Sequence, residues 1–185
     1  METTDGKKLK YLYLDNCEVL VQDESAFVSD VSQYGWSLKG KKSIYKGYRY
    51  GTRVNCFGSL NISNGTIILT QEPRGNSQTM IKHLEIVREN YPIEKKLIIF
   101  TDNASWHKTK KVTKYCEENN IELWFTPPYT PEFNPIERVW SFMKSIVKKE
   151  IFITAKSFDV FITKLFSSIQ NDYQQQLRNL CCSLI

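Results

Sequence analysis

The stretch TPPYTPEFNPIERVW, residues 126–140, lies downstream of TDNASWH at 101–107, and these two blocks set the reading of the whole chain. Three prolines between Thr126 and Phe133 exclude regular structure there, because each fixes φ and removes an amide donor. Asn134 then suits an N-cap and Pro135 the first helical position. Behind them Ile136, Val139, Trp140, Met143, Ile146 and Val147 recur at helical spacing, which predicts an amphipathic helix with Glu137 in its first turn. Upstream, the apolar run Leu97 to Phe100 predicts a buried parallel strand, with Asp102 just past its end.

Working outward, Ile121 to Phe125 reads as a further strand, and Ser105 is placed to cap a helix carrying Val112, Tyr115 and Cys116 that ends near Asn119-Asn120. Met80, Ile81, Leu84, Ile86 and Val87 give a helical stripe from Ser77 that stops at Asn90-Tyr91-Pro92, since proline disfavours helix before it. The first part of the chain is β-rich. Val19 to Gln22 reads as a short strand ending in acid, and Trp36 to Leu38, Ser43 to Tyr50, Thr52 to Leu60 and Thr66 to Leu69 form a meander punctuated by Gly40, Gly51 and Asn64-Gly65. A last amphipathic helix is expected from Ala155 to about Tyr173. The order predicts an α/β fold: an antiparallel meander, then parallel strands, in one mixed sheet flanked by helices, as in ribonuclease H-like folds. No repeat or linker divides residues 1–185, so a single domain is expected.

The 185 residues suffice for one proper core. No apolar run approaches a membrane span, and METTDGKKLK lacks the apolar segment of a signal peptide, so a cytoplasmic protein is expected. Five scattered cysteines without a C-x-x-C pair argue for reduced thiols rather than zinc ligands. The net charge of +5 points weakly to an acidic partner, and its distribution says more. Between Asp30 and Glu72 there is no acidic residue, while Lys39, Lys41, Lys42, Lys46, Arg49 and Arg53 alternate with Tyr34, Trp36, Tyr45, Tyr48 and Tyr50. Cations for phosphates and aromatics for bases suit a DNA-facing hairpin; the same pattern also suits a solvated sheet face.

Three acids then stand out. Asp102 follows a predicted strand at the end where open α/β sheets bind ligands, although Asp-Asn also begins turns. Glu137 would sit at the rim of the apolar stripe, although Asn134-Pro-Ile-Glu137 also fits a capping box. Asp23, in VLVQDESAF, directly follows an apolar strand; Asp15 and Asp30 are its near competitors, as Glu132 is for Glu137. Three such carboxylates are hard oxygen donors able to hold two Mg²⁺ ions for phosphodiester chemistry.

Together, Q-D-E-S-A-F, T-D-N-A-x-x-H and P-P-Y-x-P followed by N-P-x-E resemble the catalytic domain of DDE transposases, in the bacterial insertion-sequence branch of the mariner superfamily. The 34 residues between Asp102 and Glu137 match that group's spacing. The likeness covers roughly Leu20 to Lys149. It implies Asp23, Asp102 and Glu137 as catalytic, metal-holding residues, with two Mg²⁺ (or Mn²⁺) ions as cofactors. It further implies DNA cleavage and strand transfer in cut-and-paste transposition, transposon ends and target DNA as partners, and a homodimer when active. His107 matches a histidine of the family, for DNA phosphate contact or for orienting the active-site loop. Trp36 matches the aromatic of a W-x-x-x-G element. With Lys39, Lys41, Lys42, Arg49 and Lys108 these make the candidate DNA-contacting set, the alternatives being that Trp36 packs the hairpin, that His107 is a plain polar residue at a helix start and that Lys108 belongs to a solvated helix face. Relatives carry helix-turn-helix modules before the first catalytic aspartate, whereas 22 residues precede Asp23, too few for one such module. A separate helix-turn-helix polypeptide is one expected partner. The alternatives are a non-catalytic remnant that binds DNA or pairs with full transposase, and a related metal-dependent nuclease.

Overall fold

The structure is a computed structural model that describes residues 16–29, 38–41, 51–126 and 134–182. Five strands form one mixed sheet: β1 (Cys17–Val28), β2 (Arg53–Asn61), β3 (Ile67–Glu72), β4 (Lys96–Thr101) and β5 (Ile121–Phe125). Their order is β3-β2-β1-β4-β5. The meander β1-β2-β3 is antiparallel, and β1-β4-β5 are parallel. The expected architecture is therefore present, with β1 as the hinge between the two pairing modes. The helices are α1 (Ser77–Glu89), α2 (Lys110–Glu118), α3 (Ile136–Val147), α4 (Ala155–Asp172) and α5 (Gln174–Cys182).

Both faces of the sheet are buried, because alternate residues of each central strand point to opposite layers. Leu20 and Phe57 face Met80 and Leu84 of α1 and Val112 of α2. Val21 and Leu60 face Val139, Trp140 and Met143 of α3, Phe158 and Ile162 of α4, and Leu177 of α5. Phe27 meets Trp140 and Phe166 edge-to-face at 6.2 Å, the preferred aromatic geometry.

The Asn64-Gly65 turn joins β2 to β3 as expected, with Gly65 at φ +77° and its amide donating to the Asn61 carbonyl. That glycine has a second reason to lack a side chain: a Cβ would lie 2.7 Å from the Arg178 backbone nitrogen of α5.

Several expectations are corrected. β1 does not stop at Gln22. It runs on to Val28, since β2 continues to pair with it through Val28↔Arg53. Ser105 opens a 3-10 turn (Ser105–Lys108) instead of capping α2, whose cap position is Thr109. Helix α3 begins one residue later than expected, at Ile136. Asn134 still serves its start, through a 3.4 Å bond from the Ile136 amide to Oδ1. Within α1, Ile86 is exposed, whereas His83 and Arg88 are buried. Both nitrogens of His83 and the terminal nitrogens of Arg88 have partners, while Arg88 Nε has none among the described residues. The His83 ring lies 2.9 Å from both Ser59 Oγ and Thr70 Oγ1, and Arg88 donates to the carbonyls of Pro92, Lys95 and Asn119. The chain beyond Tyr173 forms α5, an element not expected. The strands anticipated at Trp36–Leu38 and Ser43–Tyr50 fall largely outside the described residues, and the proline loop falls outside from residue 127 to 133.

Candidate active site

The parallel register explains how two of the acids become neighbours. The last paired positions of β1 and β4 are Val21 and Phe100. Continuing that register by two residues sets Asp23 level with Asp102, at the place where β4 gives way to a loop. The intervening pair is still tied together, since Thr101 Oγ1 donates to Gln22 Oε1 across 2.5 Å.

Asp23 points to the α3 side of the sheet. Its Oδ2 accepts a 3.0 Å hydrogen bond from Trp140 Nε1. Trp140 lies one helical turn after Glu137, so the helix that offers one acid also steadies another. The indole reaches this position because β2 has glycine at residue 58; a Cβ there would come within 2.6 Å of Trp140 Cη2 and 2.9 Å of Ile136 Cδ1. Burial pushes the Asp23 carboxyl up to about 6, and the negative charges of Glu137 and Asp102 add to the shift against the bonds from the Glu24 amide and Trp140. The three acids therefore share one electrostatic neighbourhood.

Glu137 is exposed in the first turn of α3. Its carboxylate makes no bond to the Asn134 amide, so the capping-box alternative is not realised. Asp102 is likewise open, its side chain 62% exposed. Its Oδ1 accepts from the Ala104 amide at 2.9 Å and lies 3.0 Å from His107 Nδ1.

His107 is buried. Its Nε2 lies 3.3 Å from Glu24 Oε1, which also accepts from Trp106 Nε1 at 3.3 Å. Burial of the imidazole is the largest influence on its titration and lowers it. Glu24 and Asp102 together outweigh that, leaving His107 above its ordinary value. Glu24 is the functional neighbour that sequence reasoning did not assign; the alternation of β1, which sends Asp23 and Glu24 to opposite faces, is the signal that carries it.

Of the candidate DNA contacts, Lys39 and Lys41 are exposed. Lys108 is exposed too, but its Nζ donates to Asn103 Oδ1 at 2.7 Å and sits 4.7 Å from the centre of the Phe125 ring. Trp36, Lys42 and Arg49 lie outside the described residues, as do the rival acids Asp15, Asp30 and Glu132.

The donor chemistry suits Mg²⁺ or Mn²⁺: hard carboxylate oxygens from three neighbouring acids. Among the described residues no three His, Cys, Asp or Glu side chains are drawn together closely enough to hold an ion as they stand.

A mixed five-stranded sheet with helices on both faces and acids on adjacent strands defines a ribonuclease H-like domain. Residues 18–159 match the family model of the DDE superfamily endonucleases, and the chain belongs to that family. It is similar to the uncharacterized protein y4pE/y4sA of Sinorhizobium fredii (strain NBRC 101917 / NGR234), 33% identical over 92 residues, which are 49% of this chain and 64% of that protein. Among solved structures, the Mos1 strand transfer complex has the same fold, with TM-score 0.68 and 16% identity over 97% of this chain and 55% of that one. The Mos1 mariner paired-end complex with Mn has TM-score 0.69 and 16% identity, over 96% and 55% of the two chains. The catalytic domain of Mos1 mariner transposase has TM-score 0.63 and 14% identity, over 97% and 81%. The chain thus spans less than two thirds of the curated relative and little more than half of the Mos1 chains in the complexes. No helix among the described residues is long and apolar enough to cross a membrane.

Proposed function

We propose that this DDE endonuclease domain is the catalytic domain of a transposase of the mariner type, cleaving DNA at transposon ends and joining the freed 3′-hydroxyl to target DNA. In this reading Asp23, Asp102 and Glu137 hold divalent Mg²⁺, or Mn²⁺ in its place. Bound ions of this kind lower the pKa of an attacking water and neutralise charge on the attacking and leaving oxygens of an in-line displacement. The protein's own part is to present the oxygens. Trp140 and the Glu24 amide steady the Asp23 carboxylate, the Ala104 amide holds Asp102 Oδ1 with His107 beside it, and Glu137 offers its carboxylate from a helix end fixed in the core. No nucleophilic Ser, Cys or Tyr is required. The observation that carries the reading is the placing of Asp23 level with Asp102 where β1 and β4 part, with Asp23 bonded to Trp140 of the helix whose first turn carries Glu137. The exposed cations Lys39, Lys41 and Lys108 would contact the DNA backbone, and chemistry on paired ends calls for a homodimer.

The test is incubation of supercoiled plasmid and labelled linear DNA with the purified chain in Mg²⁺, Mn²⁺ or EDTA, with and without separately supplied end-binding modules. Metal-dependent nicking and joined products, lost in Asp102→Ala, are expected. Nicking without joining would reduce the reading to a nuclease. Silence in every arm, with DNA binding retained, would replace it with a non-catalytic DNA-binding remnant.

A further inference from the structure

On the face of the sheet away from Trp140, a line of polar groups runs from β1 into the loop after β4. Glu24, one residue beyond Asp23, is walled in by three neighbours. Its Oε1 accepts from Trp106 Nε1 and faces His107 Nε2, both at 3.3 Å. Its Oε2 lies over Gly75, where a Cβ would come within 2.7 Å of that oxygen and 3.6 Å of Trp106 Cζ2. The imidazole thus has a carboxylate at each end: Glu24 on one side and Asp102 Oδ1, 3.0 Å away, on the other. Thr101 Oγ1, 3.2 Å from Nδ1, stands behind the ring.

We infer that Glu24, His107 and Asp102 form a carboxylate–imidazole–carboxylate relay in which Glu24 fixes the ring and His107 fixes the orientation of Asp102, with Gly75 supplying the space that lets Glu24 reach it. The inference rests on the proposed role of Asp102 as a metal-holding group. His107 and Glu24 are then positioning residues. The reasoning is geometric. Asp102 stands on a loop, open to solvent, and a lone exposed carboxylate samples several rotamers. The Ala104 amide donates to Asp102 Oδ1 at 2.9 Å, while His107 Nδ1 lies 3.3 Å from the Asp102 carbonyl oxygen and 3.0 Å from the same Oδ1, so the ring braces both the backbone and the carboxylate of Asp102. A ring held at only one nitrogen can rotate; one held at both cannot. Groups that orient a metal-binding side chain commonly account for ~10- to 100-fold in metal affinity.

Two measurements on the full chain test it. The first is Mn²⁺ affinity, followed by the electron paramagnetic resonance of free Mn²⁺, for wild type, Asp102→Ala, His107→Asn, His107→Gln and Gly75→Ala. Asn keeps a donor where Nδ1 stands and faces Asp102; Gln keeps one where Nε2 stands and faces Glu24. Gly75→Ala displaces the Glu24 carboxylate without touching the other two residues. The relay requires that His107→Gln, His107→Asn and Gly75→Ala each weaken Mn²⁺ binding by ~10-fold or more, since each breaks one of the two ties of the ring. Wild-type affinity in His107→Gln and Gly75→Ala, against a loss in Asp102→Ala, overturns the relay and leaves the metal site standing.

The second measurement is independent of metal. The chain has two histidines, so the imidazole ¹⁵N spectrum resolves His107 from His83. Asp102→Ala must move the Nδ1 resonance of His107, and Glu24→Gln its Nε2 resonance. If neither moves, the relay is wrong whatever the metal data say. If both move while Asp102→Ala leaves Mn²⁺ binding unchanged, the relay exists and the metal role of Asp102 fails instead.

Discussion

Trp140 Nε1 donates to Asp23 Oδ2 across 3.0 Å, joining a helix to a strand 117 residues earlier in the chain. The bond makes α3 a support for the acid on β1 as well as the carrier of Glu137. Trp140→Phe removes the donor and leaves a half-buried carboxylate oxygen without its partner. We expect a loss of about 2 kcal/mol in the metal-free chain at neutral pH, read by urea unfolding. No change in the unfolding midpoint would mean that the bond adds nothing to the fold.

Gly58→Ala attacks the same contact from beneath. Its Cβ would meet Trp140 Cη2 at 2.6 Å and Cζ2 at 2.8 Å, in a core with no slack. The expected cost is about 1–3 kcal/mol, with the tryptophan fluorescence shifted as the indole is pushed off Asp23. The double variant Gly58→Ala/Trp140→Phe should lose less than the sum of the two, since both disturb one contact.

Asp23 gives the chain an unusual pH dependence. Its folded value of about 6 stands above the ordinary 3.8, so the folded state holds a proton that the unfolded state has released. The stability this contributes is complete below pH ~4 and is lost as pH rises through about 6, amounting to about 3 kcal/mol. In EDTA the melting temperature should fall over that range, and Asp23→Asn should abolish the fall and stabilise the metal-free chain at pH 7. Mg²⁺ binding to the ionised acid should restore stability above pH 6. A flat profile in EDTA would show that Asp23 titrates normally.

His83 acts in the opposite sense. Burial holds it down to about 3 against an ordinary 6.5, so the unfolded chain takes up a proton that the folded chain refuses. Its contribution is full above pH 6.5 and is lost as pH falls toward 3. His83→Leu should remove this acid sensitivity, at a cost near neutral pH of about 2 kcal/mol for leaving the Ser59 and Thr70 hydroxyls unpaired. Comparing the His83 and Asp23 variants across the same buffers separates the two opposing slopes.

What the sequence made legible was whatever rests on local pattern. The stripe from Ile136 to Val147, the Asn64-Gly65 turn and the run Ile121 to Phe125 depend on neighbours a few residues away, and each falls where expected. Asp23, Asp102 and Glu137 could be singled out only by setting their motifs beside the family resemblance, since local pattern alone left Asp102 open to a turn and Glu137 to a cap. Local reading misled where a distant partner decides. The polar QDES segment looks like the end of a strand, yet β2 keeps it extended to Val28. Ile86 looked inward by period, but His83 and Arg88 take the buried positions because strand hydroxyls and loop carbonyls await them. Glu24 was passed over for the same reason: the alternation of β1 sets it on the face opposite Asp23, but its partner His107 is 83 residues away.

The adjacent carboxylates of β1 also set a limit on how this strand can change. Asp23 faces Trp140 and Glu24 faces His107, on opposite surfaces of one sheet. Deleting a single residue between Cys17 and Gln22 would move each to the other surface, putting the longer glutamate against the indole and carrying the aspartate to the place of Gln22, out of reach of the imidazole. Both surfaces would still carry an acid, and the overall charge of the region would hardly alter. The site would nevertheless be out of phase by one side-chain length on each surface, a fault that composition could not reveal and no nearby substitution would repair.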